Sequence, residues 1–498
     1  MQKSANLFLN FFILLAGIIV LRSQEISATI KDSLTKEVIP FANIYLSSGK
    51  GILSNEEGVF RIQLNDQISS KDSLSISCMG YKTVVYPVSK FKDSIIFLPS
   101  KTIALGSIIL SNKNLSAEDI IKEVKKNIAE KYELDLTHKK IFFRESGSQE
   151  FKKLRVKVKK SSIKEFNQAF WDSTLLKIPR KNEWHTEVSG SLYGDFSKDN
   201  QKLEIDRALE LEDKKTTAIF NNIETAFDTI LKQNIKKDSY FKLRMGLIST
   251  KLEDVELNSS EKDTLTPDEK LVKEKESFSK RRKRIITNII SVLFEKEMLS
   301  ISVLKKSNRY DFERVDFTYL NNIPVYILKF KPSGNVDYAG KLYIDADKMT
   351  LLRAEYKNIK DIRDISLLGF SFKHYFKEIA IQFKKTASGK YALQYLEAID
   401  QFETGVNRAF SILEKNKVVK GRNKQNELKM ELNFRTNQFQ KYQMVVFESE
   451  RITQEIFDAF KEKPSILPVN LIQYDPTFWE GYTIIEPNQV IKEFKVDD

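Results

Sequence analysis

The chain has 498 residues, 41% of them hydrophobic and 30% charged, with a formal net charge of +13. That length exceeds one ordinary domain, and that balance excludes a wholly disordered chain. One cysteine and three histidines argue against a disulfide framework, structural zinc and an iron–sulfur cluster, each of which needs several such ligands.

Residues 1–24 read as a secretory signal peptide. Lys3 opens it, and Leu7 to Leu21 is apolar except for Asn10, so cleavage is expected near Gln24. The run is short for a membrane-spanning helix, which needs ~20 apolar residues; an uncleaved N-terminal anchor is the competing reading. The only cysteine, Cys78, is too far from that point for a lipoprotein. Cleavage takes away Lys3 and Arg22 and no acidic residue, which lowers the charge from +13 to +11. An exported protein with such a surplus meets anionic lipid and envelope polysaccharide, not nucleic acid. The surplus also serves plain solubility.

Residues 25–112 predict a β-domain. Ile26, Ala28 and Ile30 alternate with polar residues, Phe41 to Leu46 follows Pro40, and Gly58 closes a turn before Val59 to Ile62. Further short strands are expected at 73–77, 82–85, 94–98 and 107–110. Strands at this spacing imply an all-β sandwich, with Ile30, Ile44, Phe60, Ile62, Leu74 and Ile76 pointing inward. Three motifs carry a resemblance: Ile39-Pro40-Phe41-Ala42-Asn43-Ile44, Ser54-Asn55-Glu56-Glu57-Gly58-Val59-Phe60, and Leu74 through Tyr81. They resemble the carboxypeptidase-regulatory-like domain, common in envelope proteins of the Bacteroidetes. The resemblance implies a seven-stranded-type, prealbumin- or Ig-like sandwich that is an accessory module without catalytic residues. Asn55 stands where that family often has Asp, which weakens any calcium-binding turn. None of His138, His185 and His374 has the His-x-x-Glu spacing of a zinc carboxypeptidase.

Residues 113–250 predict a mixed α/β region. Ser116 is an N-cap with Asp119 three residues on, and Ile120, Ile121, Val124 and Ile128 form one helical stripe. Lys140 to Glu145 reads as a strand. Ser162 to Trp171 and Glu183 to Tyr193 read as aromatic-rich strands or irregular segments. Ile219, Ile223, Phe227 and Leu231 recur every fourth residue, which predicts a helix over 216–231. Residues 251–300 predict a charged linker and a helix, since Lys251 to Arg284 holds ten basic and nine acidic residues. Thr266-Pro267-Asp268-Glu269 is a helix start. Lys280-Arg281-Arg282-Lys283-Arg284 is read as a solvated helix face, with a lipid-phosphate site as the rival.

Residues 301–498 predict an antiparallel sheet with a C-terminal aromatic strap. Strands are expected at 310–319, 324–331, 340–345, 351–356, 370–381, 390–399, 428–434 and 442–447. The passage Tyr338 to Asp345 followed by Leu351 to Glu355 resembles the repeating hairpin of the half-barrel lipoprotein-carrier fold. That likeness implies a curved sheet or half-barrel, with a packed sheet as the alternative. Its concave face would hold Phe330, Tyr343, Phe383 and Tyr395. Asp345 and Asp347 suit a β-turn better than a metal loop. Tyr474-Asp475-Pro476-Thr477-Phe478-Trp479-Glu480-Gly481-Tyr482 and Glu486-Pro487 resemble the tail of an uncharacterised Bacteroidetes group. They read as a strap over the sheet, with Trp479 at its mouth or edge; an aromatic ligand platform is the rival.

The fold class expected is therefore α+β, mainly β. No phosphate-binding glycine loop and no nucleophile elbow occur, so no catalytic, cofactor-binding or metal residue is assigned. The expected role is a non-catalytic exported envelope protein, a binding, scaffold or carrier module of the periplasm or outer membrane. An outer-membrane protein or a lipid would be its partner, and Tyr343, Phe383, Tyr395 and Trp479 the ligand or partner surface. The alternative is a hydrolase of envelope polysaccharide or peptide with a carboxylate site that the sequence does not mark.

Overall fold

A computed structural model of the chain describes residues 24–47, 51–64, 71–101, 115–246, 248–252, 266–295, 298–320, 323–419, 421–463 and 466–496. The expected signal peptide up to residue 23, the strand expected at 107–110 and the first half of the expected charged linker lie outside them. The protein is mostly β, 52% strand and 20% helix, in sheets that are open and form no barrel among the described residues, in agreement with the α+β class. It divides into two compact units. One holds the described residues up to Ser100 together with Thr477–Asn488; the other holds the rest.

The smaller unit contains β1 (Gln24–Asp32), β2 (Asn43–Leu46), β3 (Gly51–Leu53), β4 (Val59–Leu64), β5 (Ser73–Ser77), β6 (Val84–Pro87) and β7 (Ile95–Leu98). They form a three-stranded sheet, β4-β1-β7, and a four-stranded one, β3-β2-β5-β6. All six residues expected to point inward are buried. The turn before β4 shows why its residues are what they are. The Asn55 Oδ1 accepts from the backbone N–H of Glu57 (3.0 Å) and Val59 (2.8 Å). Gly58 has φ +72°, and a Cβ there would stand 2.7 Å from the Ile30 carbonyl oxygen.

From Thr477 onward the aromatic strap belongs to this unit, not to the large sheet as expected. The Asn55 Nδ2 donates to the Pro487 carbonyl at 3.2 Å, a bond that an aspartate could not make. Arg61 holds the buried Glu486 at 3.0 Å. Trp479 is buried, edge-on to Phe478 (5.0 Å) and Tyr482 (5.8 Å). The polar anchors at the end of the strap decide where its rings pack. Ring hydrophobicity alone does not specify a partner.

The larger unit opens with α1 (Ala117–Val124), where Ser116 caps the Asp119 N–H as expected. Then come β8 (Thr137–Ser161), α2 (Gln168–Lys177), β9 (Lys181–Gly194), β10 (Gln201–Glu212), α3 (Lys214–Asn234), β11 (Ser239–Met245), β12 (Ile248–Leu252) and α4 (Pro267–Ile290). The short pair β13 (Phe294–Glu295) and β14 (Met298–Leu299) precedes β15 (Tyr310–Leu320), β16 (Ile323–Pro332), β17 (Tyr338–Asp345), β18 (Thr350–Asn358), β19 (Arg363–Leu367), β20 (Phe370–Lys385), β21 (Tyr391–Asn416), β22 (Lys424–Arg451) and β23 (Val469–Leu471). Strands of the expected middle region and of the expected C-terminal domain join in one sheet, ordered β15-β16-β17-β18-β20-β21-β22-β8-β9-β10-β23. The stretches 113–250 and 301–498 thus share one fold.

A single register line shows what holds this sheet. Leu328, Leu342, Ala354, Ile381, Leu396, Met444, Phe143, Val188 and Ala208 are paired strand to strand, and all are buried. Directly paired residues share a face, so this line is an apolar seam across nine strands. Helix α4 starts at Thr266 as expected, with Pro267 at its first position, and Thr266 and Glu269 close a capping box. Its basic run is the expected solvated face at Lys280, Arg281 and Arg284, and departs from it at one residue. Arg282 is buried against Glu145 on β8, Lys283 pairs with Glu462 (2.7 Å), and Lys280 pairs with Glu276 (2.8 Å). The Asp345 Oδ1 accepts from the N–H groups of Asp347 and Lys348, both at 2.9 Å, which is the expected turn.

Candidate functional site

The apolar face of the sheet is covered at one end by the C-terminal part of α4 and by residues that follow it, 291–295 and 300–306. Between cover and sheet lies a cavity of about 660 Å³. Its floor is built by alternation. Ile381 and Leu396 come from the apolar seam, and two residues along the same strands Ile379 and Ala398 add a second line with Tyr356 and Tyr442. The cover contributes Ile289, Val292, Leu293 and Ile301. This volume falls within the ~300–1,000 Å³ usual for small-molecule sites.

One side of the cavity is aromatic. Tyr338 stands 5.3 Å from Tyr356, which continues to Phe330 (6.3 Å) and Tyr310 behind it. Burial pushes the Tyr338 and Tyr442 phenols up to about 12 and that of Tyr356 further still, so these rings stay neutral. Charge is confined to a polar line next to them. The Lys377 Nζ lies 2.9 and 3.0 Å from the two Asp400 oxygens, and the His374 Nε2 lies 2.8 Å from Asp400. Lys305 and Lys306 face the cavity from the cover, Lys305 pairing with Glu295 (2.5 Å). Three lysines against Asp400 and Glu295 leave one positive charge in excess.

The four residues singled out from the sequence lie elsewhere. Tyr343 and Tyr395 alternate with the seam residues Leu342 and Leu396 and so point to the opposite face. Phe383 is buried in a ring cluster with Tyr132 (5.0 Å) and Phe294 (6.0 Å). Trp479 lies in the other unit. The cavity residues carry a sequence signal that aromatic content hid. Ile379 with Ile381, and Leu396 with Ala398, are apolar pairs at strand spacing, whereas Tyr395 alternates with them beside Glu397.

That opposite face is a hydrogen-bonded network. Tyr343 donates to Glu355 (3.3 Å), which Arg353 holds at 2.6 Å. Arg353 reaches Gln382 (3.2 Å), and Gln382 donates to Gln394 (3.1 Å). Tyr395 and Gln443 both donate to Glu397 at 2.9 Å, and Arg144 pairs with Glu187 at 2.5 Å. Its carboxylates are taken up by Arg, Tyr and Gln donors. His185 lies on the same face, with Nδ1 2.8 Å from the Ser146 hydroxyl. Burial, and then the Arg144 charge, pull its pKa down to about 4. The unfolded chain therefore binds the extra proton first, and stability is lost as pH falls from ~6.5 towards 4. Between pH 7.5 and 4.5 the wild-type protein should lose ~2–3 kcal/mol more than His185→Gln. Urea midpoints of both at the two pH values check it; equal losses would remove His185 as the cause.

No protein-family model and no curated protein sequence matches the chain. Among solved structures, it is similar to MucB in complex with MucA(peri), at 6% identity and TM-score 0.15, over 64% of this chain and 94% of that one. The MucA/MucB complex of Pseudomonas aeruginosa gives 7% identity and TM-score 0.15, over 65% and 93%. A protein of unknown function from Bacteroides fragilis, described as membrane-associated, gives 10% identity and TM-score 0.13, over 85% and 97%. Likenesses at these TM-scores carry no argument about function. Among the described residues, no helix is long and apolar enough to cross a membrane.

Proposed function

We propose that this protein is a non-catalytic carrier of the cell envelope that holds the apolar chain of an anionic amphiphile in the cavity beneath α4. The smaller unit is read as a carboxypeptidase-regulatory-like sandwich that serves as an interaction module. The observation that carries the proposal is the cavity itself: aliphatic floor and cover, neutral phenols on one side, and lysines beside them. Each buried CH₂ contributes ~0.8 kcal/mol, so an acyl chain is held without any catalytic group. Lys305, Lys306 and Lys377 suit a carboxylate or phosphate head.

The test is titration of the chain from Glu25 onward with a dansyl-labelled fatty acid. A saturable blue-shifted signal is expected, displaced by oleate and more weakly by uncharged monoolein. Ala398→Trp fills the floor and should weaken binding at least ~tenfold, while circular dichroism checks that it stays folded. No saturable signal from the wild-type protein would sink the carrier reading.

A further inference from the structure

Beyond the cavity, β21 and β22 run on as a long ribbon, edged by β8 on one side and by β11 with β12 on the other. Helices α2 and α3 bury one face of its far end, around Val156, Phe166, Leu428 and Met430. The opposite face is polar and open. Registers lay it out in rows. Arg435 pairs with Lys153, Asn433 with Arg155, Glu431 with Lys157, and Lys429 with Lys160. Ser411, beside Lys429, pairs on its other side with Arg244, and Leu413, beside Glu427, pairs with Lys242. Lys429 alternates with Leu428 and Met430 of the buried face, and directly paired residues share a face, so these rows all lie on the open one. Their basic side chains are exposed, except that Lys242 is half-buried.

The charge on this face is one-sided. Glu427 takes Lys160 (3.0 Å), Lys429 (2.9 Å) and Lys424, Glu431 takes Lys159 (2.9 Å), and Arg435 reaches Glu403 in the next row (3.4 Å). Lys153, Arg155 and Lys157 on β8, and Lys242 and Arg244 on β11, have no acidic partner among the described residues. Ten cations thus face three carboxylates, which leaves seven positive charges, about half of the chain's formal +13. Protection of a strand edge accounts for the cations on β8, whose outer side has no ladder partner after Glu150. It does not account for β11, which lies between β12 and β21, or for β22, which lies between β21 and β8. Asn407, Asn433, Ser249 and Ser411 stand between the cations, and Ala409 is the one exposed apolar side chain among the described residues of these rows. A face that enters a bilayer carries aliphatic or aromatic tips, and this one has none. Cations every ~6.8 Å along a strand and ~4.8 Å between strands, interleaved with amides and hydroxyls, match a chain that alternates carboxylates or sulfates with hydroxyl groups. We propose that this face binds an anionic polysaccharide. This goes beyond the carrier reading and does not need the cavity to be filled.

Biolayer interferometry of the chain from Glu25 onward on immobilised polygalacturonate, a polyuronate, tests it. Saturable binding is expected, at least ~tenfold weaker at ~0.3 M than at ~0.05 M salt, and absent on neutral dextran. Lys153→Glu with Arg155→Glu should lose about tenfold or more. These residues pair with Arg435 and Asn433, so the variant sets no two acids opposite each other. Lys242→Glu with Arg244→Glu should lose a similar factor, and dansyl fatty acid binding should be unchanged in both, since all four residues lie outside the cavity. Lys82→Glu with Lys90→Glu makes the same change of net charge on exposed residues of the smaller unit. It should stay within about twofold of wild type, because distant exposed charges are screened. No polygalacturonate binding by wild type, undiminished binding by both face variants, or an equal loss in the Lys82 and Lys90 variant would overturn the proposal. So would tighter binding to phosphatidylglycerol vesicles than to polygalacturonate, lost in the face variants, which would give the face to a membrane. Polygalacturonate binding without dansyl fatty acid binding would leave this proposal standing and sink the carrier alone.

Discussion

Replacing Arg282 with alanine is expected to destabilise the larger unit by ~3–5 kcal/mol. Arg282 projects from α4 and is 2% exposed; its partner Glu145 on β8 is 3% exposed. Neither charge has water to return to in the folded state. Arg281 lies 3.8 Å from Glu145 but is 56% exposed, a distance and position too poor to take over. Burial already pushes the nearby Glu210 carboxyl up, and the Arg282 charge opposes this, so its removal isolates two acids. Replacing Arg282 and Glu145 together with methionine should recover most of the loss, because a buried pair contributes little net stability while a buried orphan costs much. Urea unfolding measures this. Trp171 and Trp184 report on the larger unit and Trp479 on the smaller, so two-state behaviour of the whole chain need not be assumed. An unshifted midpoint in Arg282→Ala, or a double variant as unstable as the single one, would show that the contact does not carry the packing of α4.

This pair also marks where sequence reasoning stops. A run of five basic residues reads as a solvated face because nothing local says that Glu145, 137 residues away, will sit beneath one of them. Local signals transferred well. Ser116 and Thr266 cap the helices that they were expected to cap, the four-residue spacing from Ile219 to Leu231 is a helix, and the alternation from Ile30 to Ile76 set the core of the smaller unit. Strand lengths did not transfer. Strands expected at 390–399 and at 428–434 with 442–447 extend to Tyr391–Asn416 and Lys424–Arg451. Their middles, such as Gln438-Phe439-Gln440 and Thr404-Gly405, have weak local preference for a strand. They are extended because ladder partners on both sides satisfy their backbone groups. The cavity was hidden for a related reason. Its floor was written in the parity of Ile379, Ile381, Leu396 and Ala398, but its cover, 291–295 and 300–306, has no periodic pattern of its own. The large rings Tyr343 and Tyr395 sit one residue out of that parity, which sends them to the opposite face.

Lengthening a bound fatty acid by one methylene is expected to tighten its binding about fourfold, the equivalent of ~0.8 kcal/mol, until the cavity is full. The carboxylate is placed beside Lys377 and Lys306, and the chain runs over Ala398 and Ile379 towards Leu396 and Ile381. Four added methylenes then gain ~3 kcal/mol, or roughly 200-fold, before the far end is reached at the packed rings of Phe383 and Phe294. Those rings are 6.0 Å apart and belong to the core, so a longer chain must turn back or protrude, and the affinity levels off. Ala398→Phe should move that plateau to a shorter chain, because it takes up floor area where the tail passes. Lys377→Gln should weaken all chain lengths by a similar factor and leave the slope unchanged, since the head contact is the same for each. Competition titrations with saturated fatty acids of eight to sixteen carbons measure slope and plateau together. A slope near zero would mean that the tail is not in the cavity. A slope that persists through sixteen carbons in Ala398→Phe would place the chain on some other apolar surface.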